Sequence, residues 1–315
     1  MGSGTKNRKH ATPATRPNDA ATPRRPDAAV VAAAVVWQLH RRGVDPCFAR
    51  LHHRAEPLSS PTAVAAQLDS LSGHLAVHVP TVGSILAGAA FGGTSLPGPT
   101  RARFPSDEEF DACVATATAW VTAFEAARTT RRHDMAFGLD VKAASPRTGP
   151  AQVAQFIVAA PAAGAARLVA AKRMPSPSEG SYVYLWPEDH NLPLVTPLTG
   201  LGDTLPLVCH EATAFNHRAV ANTTAEWRVD RRAAIQADVL RGDVTCLYNA
   251  IHRLWTDGEV TFHTSYNAIL DEREGLRIVG AFGSALDVSV AEAMRLAGRL
   301  TRGFSGSIEA FPSNW

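Results

Sequence analysis

Leu205-Pro-Leu-Val-Cys209-His-Glu211-Ala-Thr-Ala-Phe215 begins as an apolar run with strand character and ends in a polar turn. The run delivers Cys209 at its end. Glu211 follows two positions later, and then Asn216, His217 and Arg218. A strand that runs into a polar turn is how an α/β protein presents a reactive side chain at the rim of a sheet. Cys209 is therefore the first residue to explain.

The segments on either side alternate in type. Upstream, Gln152–Ala160 and Ala165–Ala171 read as two strands of a hairpin turned at Pro161–Gly164, and Met135–Val141 reads as a strand. Ser106 followed by Asp107, Glu108 and Glu109 starts a helix that runs to about Arg128, with Phe110, Val114, Trp120, Val121 and Phe124 among its apolar positions. Ser60-Pro61 opens a helix through Leu71. Cys47–His53 and the alternating His74–Val79 read as strands, and Ala28–Arg42 as a helix stopped by Gly43. Gly83–Pro105, rich in Gly and Pro, reads as a long loop, and Lys172–Asp203 as a proline-punctuated connection. Downstream, Trp227–Leu240, Glu259–Leu270 and Ser289–Leu300 read as helices, Val244–Tyr248 and Leu276–Phe282 as strands, and the tail as irregular. Helices and strands that alternate in this way predict a layered α/β domain with helices covering the sheet faces.

Composition sets the outer bounds. The 315 residues are 45% hydrophobic and 19% charged, enough for one sizeable core. The net charge of +2 gives no global case for nucleic acid. Six basic residues (Lys6, Arg8, Lys9, Arg16, Arg24 and Arg25) stand in residues 1–27, with four prolines and almost no large apolar side chain. We read 1–27 as a disordered basic arm and 28–315 as a single α/β domain. The arm lacks interleaved aromatics, so it offers bases no stacking surface. Cys47, Cys113, Cys209 and Cys246 are widely spaced, with no Cys-x-x-Cys pair, which points to a reducing, cytoplasmic setting. The apolar run after the arm is shorter than the ~20 residues that span a bilayer.

Two further segments share features with the Cys209 turn. Val169-Ala-Ala-Lys172-Arg-Met-Pro175-Ser-Pro-Ser-Glu179 is a strand ending in lysine, with Pro and then Glu a few residues on. Together with strand-Cys209-His-Glu211 and Phe215 beyond it, this resembles the carbon-nitrogen hydrolase, or nitrilase-like, superfamily. The resemblance implies an αββα sandwich, a Glu-Lys-Cys triad, a homodimer and no cofactor. It implies Cys209 as nucleophile, Lys172 as oxyanion stabiliser, and Glu211 and Glu179 as supporting carboxylates. It also implies a small amide or nitrile as substrate. One motif departs: the segment His74–Pro80 matches the family's apolar strand and proline, and Thr81 stands where the catalytic Glu belongs.

The residues support the same chemistry on their own terms. A thiol attacks as thiolate, and a free cysteine near pKa ~8.5 is mostly protonated at neutral pH. A lysine beside Cys209 favours the thiolate and stabilises the oxyanion of a tetrahedral intermediate. Glu211, Asp140 and Glu179 are the available carboxylates, and His210 is the nearest imidazole in sequence. The plainer reading is also open: a cysteine ending an apolar strand is a small buried hydrophobe, Lys172 a strand-end lysine, and Glu211 a turn cap. In that case the chain is an inactive binding or assembly module of the same fold.

The polar clusters Tyr248-Asn249-Ala-Ile-His252 and His263-Thr-Ser-Tyr-Asn267 sit at element ends after the nucleophile and are candidates, with His210, for lining a substrate pocket. His74 and His78 would share a strand face. No histidine pair has metal-site spacing on a helix as read here, and none accompanies a Cys-x-x-Cys, so no metal is expected.

Overall fold

The computed structural model describes residues 32–39, 48–53, 60–78, 83–96, 107–143, 152–176, 192–218, 224–251, 258–273, 275–282, 295 and 308–311. The strands are β1 (Ala32–Leu39), β2 (Phe48–His53), β3 (Ser84–Leu96), β4 (Asp134–Ala143), β5 (Gln152–Ala160), β6 (Arg167–Ala171), β7 (Thr196–Leu198), β8 (Gly202–Val208), β9 (Cys246–Ile251), β10 (Arg277–Phe282) and β11 (Ile308–Phe311). The α-helices are α1 (Pro61–His78), α2 (Asp107–Ala127), α3 (Glu226–Val239) and α4 (Gly258–Glu272), and a 3-10 helix spans Cys209–Phe215. Strand order is β6-β5-β4-β3-β2-β1-β10-β9-β8-β7, with β11 also on β1.

β1 divides this path into two sheets that pack face to face. Period-2 alternation shows it directly. On β4 and β5, Ala136, Ile157 and Ala159 join a core shared with β8, β9 and β10, whereas Met135, Phe137, Phe156 and Val158 join the core under α1 and α2. Tyr248 on β9 crosses the gap between sheets: its hydroxyl donates to the carbonyl of Ala87 on β3 and, at 3.3 Å, to that of Ala136 on β4.

The outer layers are helical. α2 buries Phe110, Cys113, Ala117, Trp120, Val121 and Phe124, a stripe at helical spacing. Phe124 meets Phe137 edge to face at 5.1 Å. α1 buries Val64, Ala65, Leu68, Leu71 and Leu75 beside it. On the other side, Phe262, Tyr266, Ile269 and Leu270 of α4 cover β9 and β10, with Ile235 and Val239 of α3 in the same core. The order helix, sheet, sheet, helix is the expected αββα sandwich.

Several local expectations change. Residues 32–39, within the segment read as a helix, form β1, because pairing on both edges overrides the helix preference of an alanine run. His74–His78 continue α1, since Leu71 and Leu75 fall on its buried stripe one turn apart, so the strand face proposed for His74 and His78 does not exist. Most of Gly83–Pro105 is not loop but β3, whose pairing with β4 is interrupted by register shifts around Ala89–Thr94. The tail contributes β11, and the connection before β8 contains β7. The arm of residues 1–27, Ser106, Thr81 and, apart from Arg295, the helix expected over Ser289–Leu300 lie outside the described residues.

β2, β3, β4 and β6 run parallel to one another in one sheet, as β8, β9 and β10 do in the other. The starts of β3 and β4 are tied to the β7–β8 turn. Ser84 Oγ donates to the Thr199 carbonyl at 2.7 Å, and Asp134 Oδ2 accepts from Thr199 N at 2.8 Å and Oγ1 at 2.7 Å. A side chain at Gly83 would put its Cβ 2.5 Å from Thr199 Cγ2, so only glycine permits this approach. With the strand beginnings fixed together, the carboxyl ends of β4, β6 and β8 meet at the opposite rim.

Candidate functional site

That opposite rim carries Cys209. β8 ends at Val208, and Cys209 enters the 3-10 helix with φ +49°. The left-handed region costs a non-glycine residue on the order of 1 kcal/mol and persists only where surrounding contacts impose it. Here the imposing contacts converge on Glu211, which is fully buried. Its Oε2 accepts from Val208 N at 3.0 Å. Its Oε1 accepts from Arg173 N at 2.6 Å and Arg173 Nε at 3.3 Å. The Arg173 guanidinium also pairs with Asp238 of α3. One carboxylate thus clasps the residue before Cys209 and the residue after Lys172, and holds the ends of β8 and β6 together.

Lys172 is only 1% exposed. Its backbone N donates to the Gln155 carbonyl at 2.9 Å, and its Nζ donates to Gln155 Oε1 at 2.7 Å. Gln155 sits opposite Asp140 in the β4–β5 register. The neighbours of both (Leu139, Val141, Ala154 and Phe156) face the helices, so alternation turns Asp140 and Gln155 to the inter-sheet side. Asp140, Gln155 and Lys172 therefore form a row across β4, β5 and the end of β6, on the sheet facing β8 and at the same rim as Cys209. Cys209 itself is 7% exposed.

The carboxylates separate by role. Glu211 has both oxygens committed to backbone and guanidinium donors, so it braces the turn. Asp140 is half-buried and lies on the face that Lys172 occupies. Glu179 lies outside the described residues. The segment His74–Pro80, read above as an apolar strand and proline, is the end of α1 over His74–His78, and the next strand is β3, so the alignment that set Thr81 at a Glu position loses its strand.

The substrate-binding candidates are dispersed. His210, half-buried in the 3-10 helix, meets the Phe262 ring edge-on at 6.3 Å. Asn249 is fully buried on the helix-facing side of β9, where its Nδ2 donates to the Tyr266 hydroxyl at 2.7 Å. His263 on α4 lies 3.3 Å from Asn267 through Nδ1. His252 lies outside the described residues. Among the described residues, no group of three or more His, Cys, Asp or Glu side chains is placed to hold a metal ion. No described helix is long and apolar enough to cross a membrane.

Sequence reasoning missed Gln155 and Arg173. Gln155 did leave a signal, as the polar residue inside the apolar run Val153–Ala160. Its pairing with Lys172 follows from the order of β5 and β6, which the residues do not announce. Arg173 reads as the next residue after a catalytic candidate and becomes informative only when Glu211 is seen to hold it.

Solved structures similar to this chain include members of the nitrilase, or CN-hydrolase, superfamily. They include Nit3 of Saccharomyces cerevisiae, a member of branch 10 of that superfamily, at 9% identity and TM-score 0.39, covering 79% of this chain and 76% of that one. XC1258 from Xanthomonas campestris, a CN-hydrolase superfamily protein with an arsenic adduct in the active site, is 12% identical at TM-score 0.37, covering 76% and 72%. The carbon-nitrogen hydrolase from Helicobacter pylori G27 is 12% identical at TM-score 0.37, covering 82% and 80%. No protein-family model and no curated protein matches the chain. The sandwich rests on the contacts described above and the site on its own geometry.

Proposed function

We propose that this protein is a cysteine-dependent hydrolase of a carbon-nitrogen bond in a small amide or nitrile. The observation that carries the reading is the clasp at Glu211, which joins the turn of Cys209, with its positive φ, to the end of the strand that delivers a buried lysine. Strain maintained at a cysteine whose turn is clasped to the strand end that carries a buried lysine is poorly explained by packing alone. In the proposed reaction the Cys209 thiolate attacks the carbonyl or nitrile carbon. With an amide, the carbon-sulfur bond forms, charge develops on the oxygen, and the carbon-nitrogen bond breaks as the amine leaves with a proton. Water then cleaves the thioester and regenerates the thiol. Lys172 favours the thiolate and stabilises the oxyanion. Asp140 is the described carboxylate on the correct face to exchange protons.

The test is hydrolysis of a panel of simple amides and nitriles by wild type and Cys209→Ala. Activity in the wild type that is absent from the variant is the expected result, and equal rates sink the assignment. The second reading is an inactive binding or assembly module. It is favoured by the 7% exposure of Cys209 and by the full commitment of Glu211. On that reading neither protein hydrolyses any member of the panel.

A further inference from the structure

We propose that Arg232 forms the inner wall of a binding site for a small oxyanion, a phosphate or carboxylate group, between α3 and the exit of the Cys209 turn. The site is separate from the hydrolase reading above and stands or falls without it. Arg232 is 6% exposed, yet among the described residues its Nε and Nη1 have no hydrogen-bond acceptor. Nε carries one N–H and Nη1 two, so several donors of one guanidinium are buried and unused. Burial first, and the Arg228 charge second, lower its pKa, and no carboxylate offsets them. A guanidinium keeps its proton inside a protein, so the charge persists. A charge withdrawn from water without a partner is costly, and a bound anion relieves that cost while accepting the unused N–H groups.

The packing of α3 locates the group. Ile235 and Val239 enter the core, and Gln236 Nε2 donates to the Ala214 carbonyl at 2.9 Å. Two residues later Asp238 reaches Arg173, which holds Glu211 near the start of the 3-10 helix. α3 therefore runs back along that segment, with its later residues toward Glu211 and its earlier ones beyond Ala214. Arg232 stands one turn before Gln236 on the same face, on the Asn216 side of the Ala214 contact. Arg228, a further turn back, brings a second positive charge. The amino end of the helix adds its own partial positive charge. Glu226 and Asp230, the acids of these turns, are both exposed. Several donors under a doubled positive charge suit a ligand with more than one anionic oxygen acceptor.

The experiment follows urea unfolding of the full chain as sodium chloride is replaced, at constant pH and ionic strength, by inorganic phosphate or by acetate. An anion that binds the folded protein raises the midpoint by mass action. The proteins are wild type, Arg232→Met, Arg232→Lys and Arg167→Met, the last removing an equal charge from the exposed start of β6. The wild-type midpoint should rise with at least one of the two anions, and which one it is identifies the group as phosphate or carboxylate. In Arg232→Met the concentration needed for the same rise should increase about tenfold or more, because charge-assisted hydrogen bonds are lost. Arg232→Lys keeps the charge without the planar donors and should also need more anion; it carries the test if the Met variant does not fold. Arg167→Met should respond as wild type does. A wild-type midpoint that responds to neither anion overturns the site. An equal rise in all four proteins also overturns it, since exclusion of the salt from the protein surface then explains the effect. So does an equal loss in Arg167→Met, which would make overall charge the cause.

Discussion

The clasp at Glu211 predicts a graded loss of stability. Its carboxylate satisfies three donors: Val208 N, Arg173 N and Arg173 Nε. Glu211→Gln keeps the shape but replaces one acceptor oxygen by an NH2 group. Whichever way the amide is turned, that group faces a buried backbone N–H, donor against donor. One orphaned buried donor costs about 1–3 kcal/mol. Glu211→Ala removes all three bonds and leaves Arg173 buried without this partner, and breaking a buried ion pair from one side costs about 3–5 kcal/mol. Against a typical total stability of about 5–15 kcal/mol, the first change is tolerable and the second severe. Urea unfolding followed by circular dichroism should order the midpoints as wild type, Gln, then Ala. Hydrolysis should fall in Glu211→Gln, because the clasp also sets the Cys209 turn relative to Lys172. A Gln variant as stable as wild type would refute the account of the clasp. So would an Ala variant no worse than Gln.

Two further outcomes follow from groups away from the rim. Tyr248→Phe removes the hydroxyl that bridges Ala87 and Ala136 across the sheets. It should lower stability by about 1–3 kcal/mol in urea unfolding while the Cys209 thiolate, titrated by its ultraviolet absorbance, keeps its wild-type midpoint. His133 is buried against Ser72, its Nδ1 2.6 Å from the hydroxyl, and burial first and the Arg132 charge second hold its pKa below the usual value. The unfolded chain therefore binds the proton more readily. The contribution of His133 is complete above the unfolded pKa of about 6.5 and is lost as pH falls from there toward the lower folded value. The fall in unfolding midpoint over that window should be shallower in His133→Gln, and an unchanged slope would show that His133 does not set it.

The parts of this fold legible in sequence are those whose local pattern agrees with their final environment. Met135–Val141, Gln152–Ala160 and Leu205–Val208 are largely apolar and bounded by turn residues, and Met135–Leu139, Ala154–Ala160 and Leu205–Val208 within them are buried on both faces, so each reads as a strand before any partner is known. The segment 32–39 does not, because alanine favours a helix and only strands far along the chain make it β1. His74–His78 fits alternation and helical spacing equally well over so few residues, and the buried stripe of α1 decides between them. β3 contains Gly88, Gly92 and Gly93, which resemble loop punctuation but accompany the broken register against β4. At the site, Cys209 and Lys172 were visible as strand-terminal residues. The donors around Glu211 and the acceptor at Gln155 were not, since they depend on which strands become neighbours.

The placement of β1 has a consequence for the route by which the chain folds. This early strand pairs with β2 through Ala32 and Ala33, with β10 through Val36–Leu39, and with β11 through a register that sets Ala34 opposite Phe311. The seam between the sheets is thus closed by contacts between opposite ends of the described chain. Such contacts carry a high loop-closure cost and form slowly. During synthesis β1 would emerge ahead of the other described strands, and its pairing beyond Ala32 and Ala33 would await β10 and β11. Throughout that interval it presents unpaired strand edges, the surface that invites wrong pairing and aggregation.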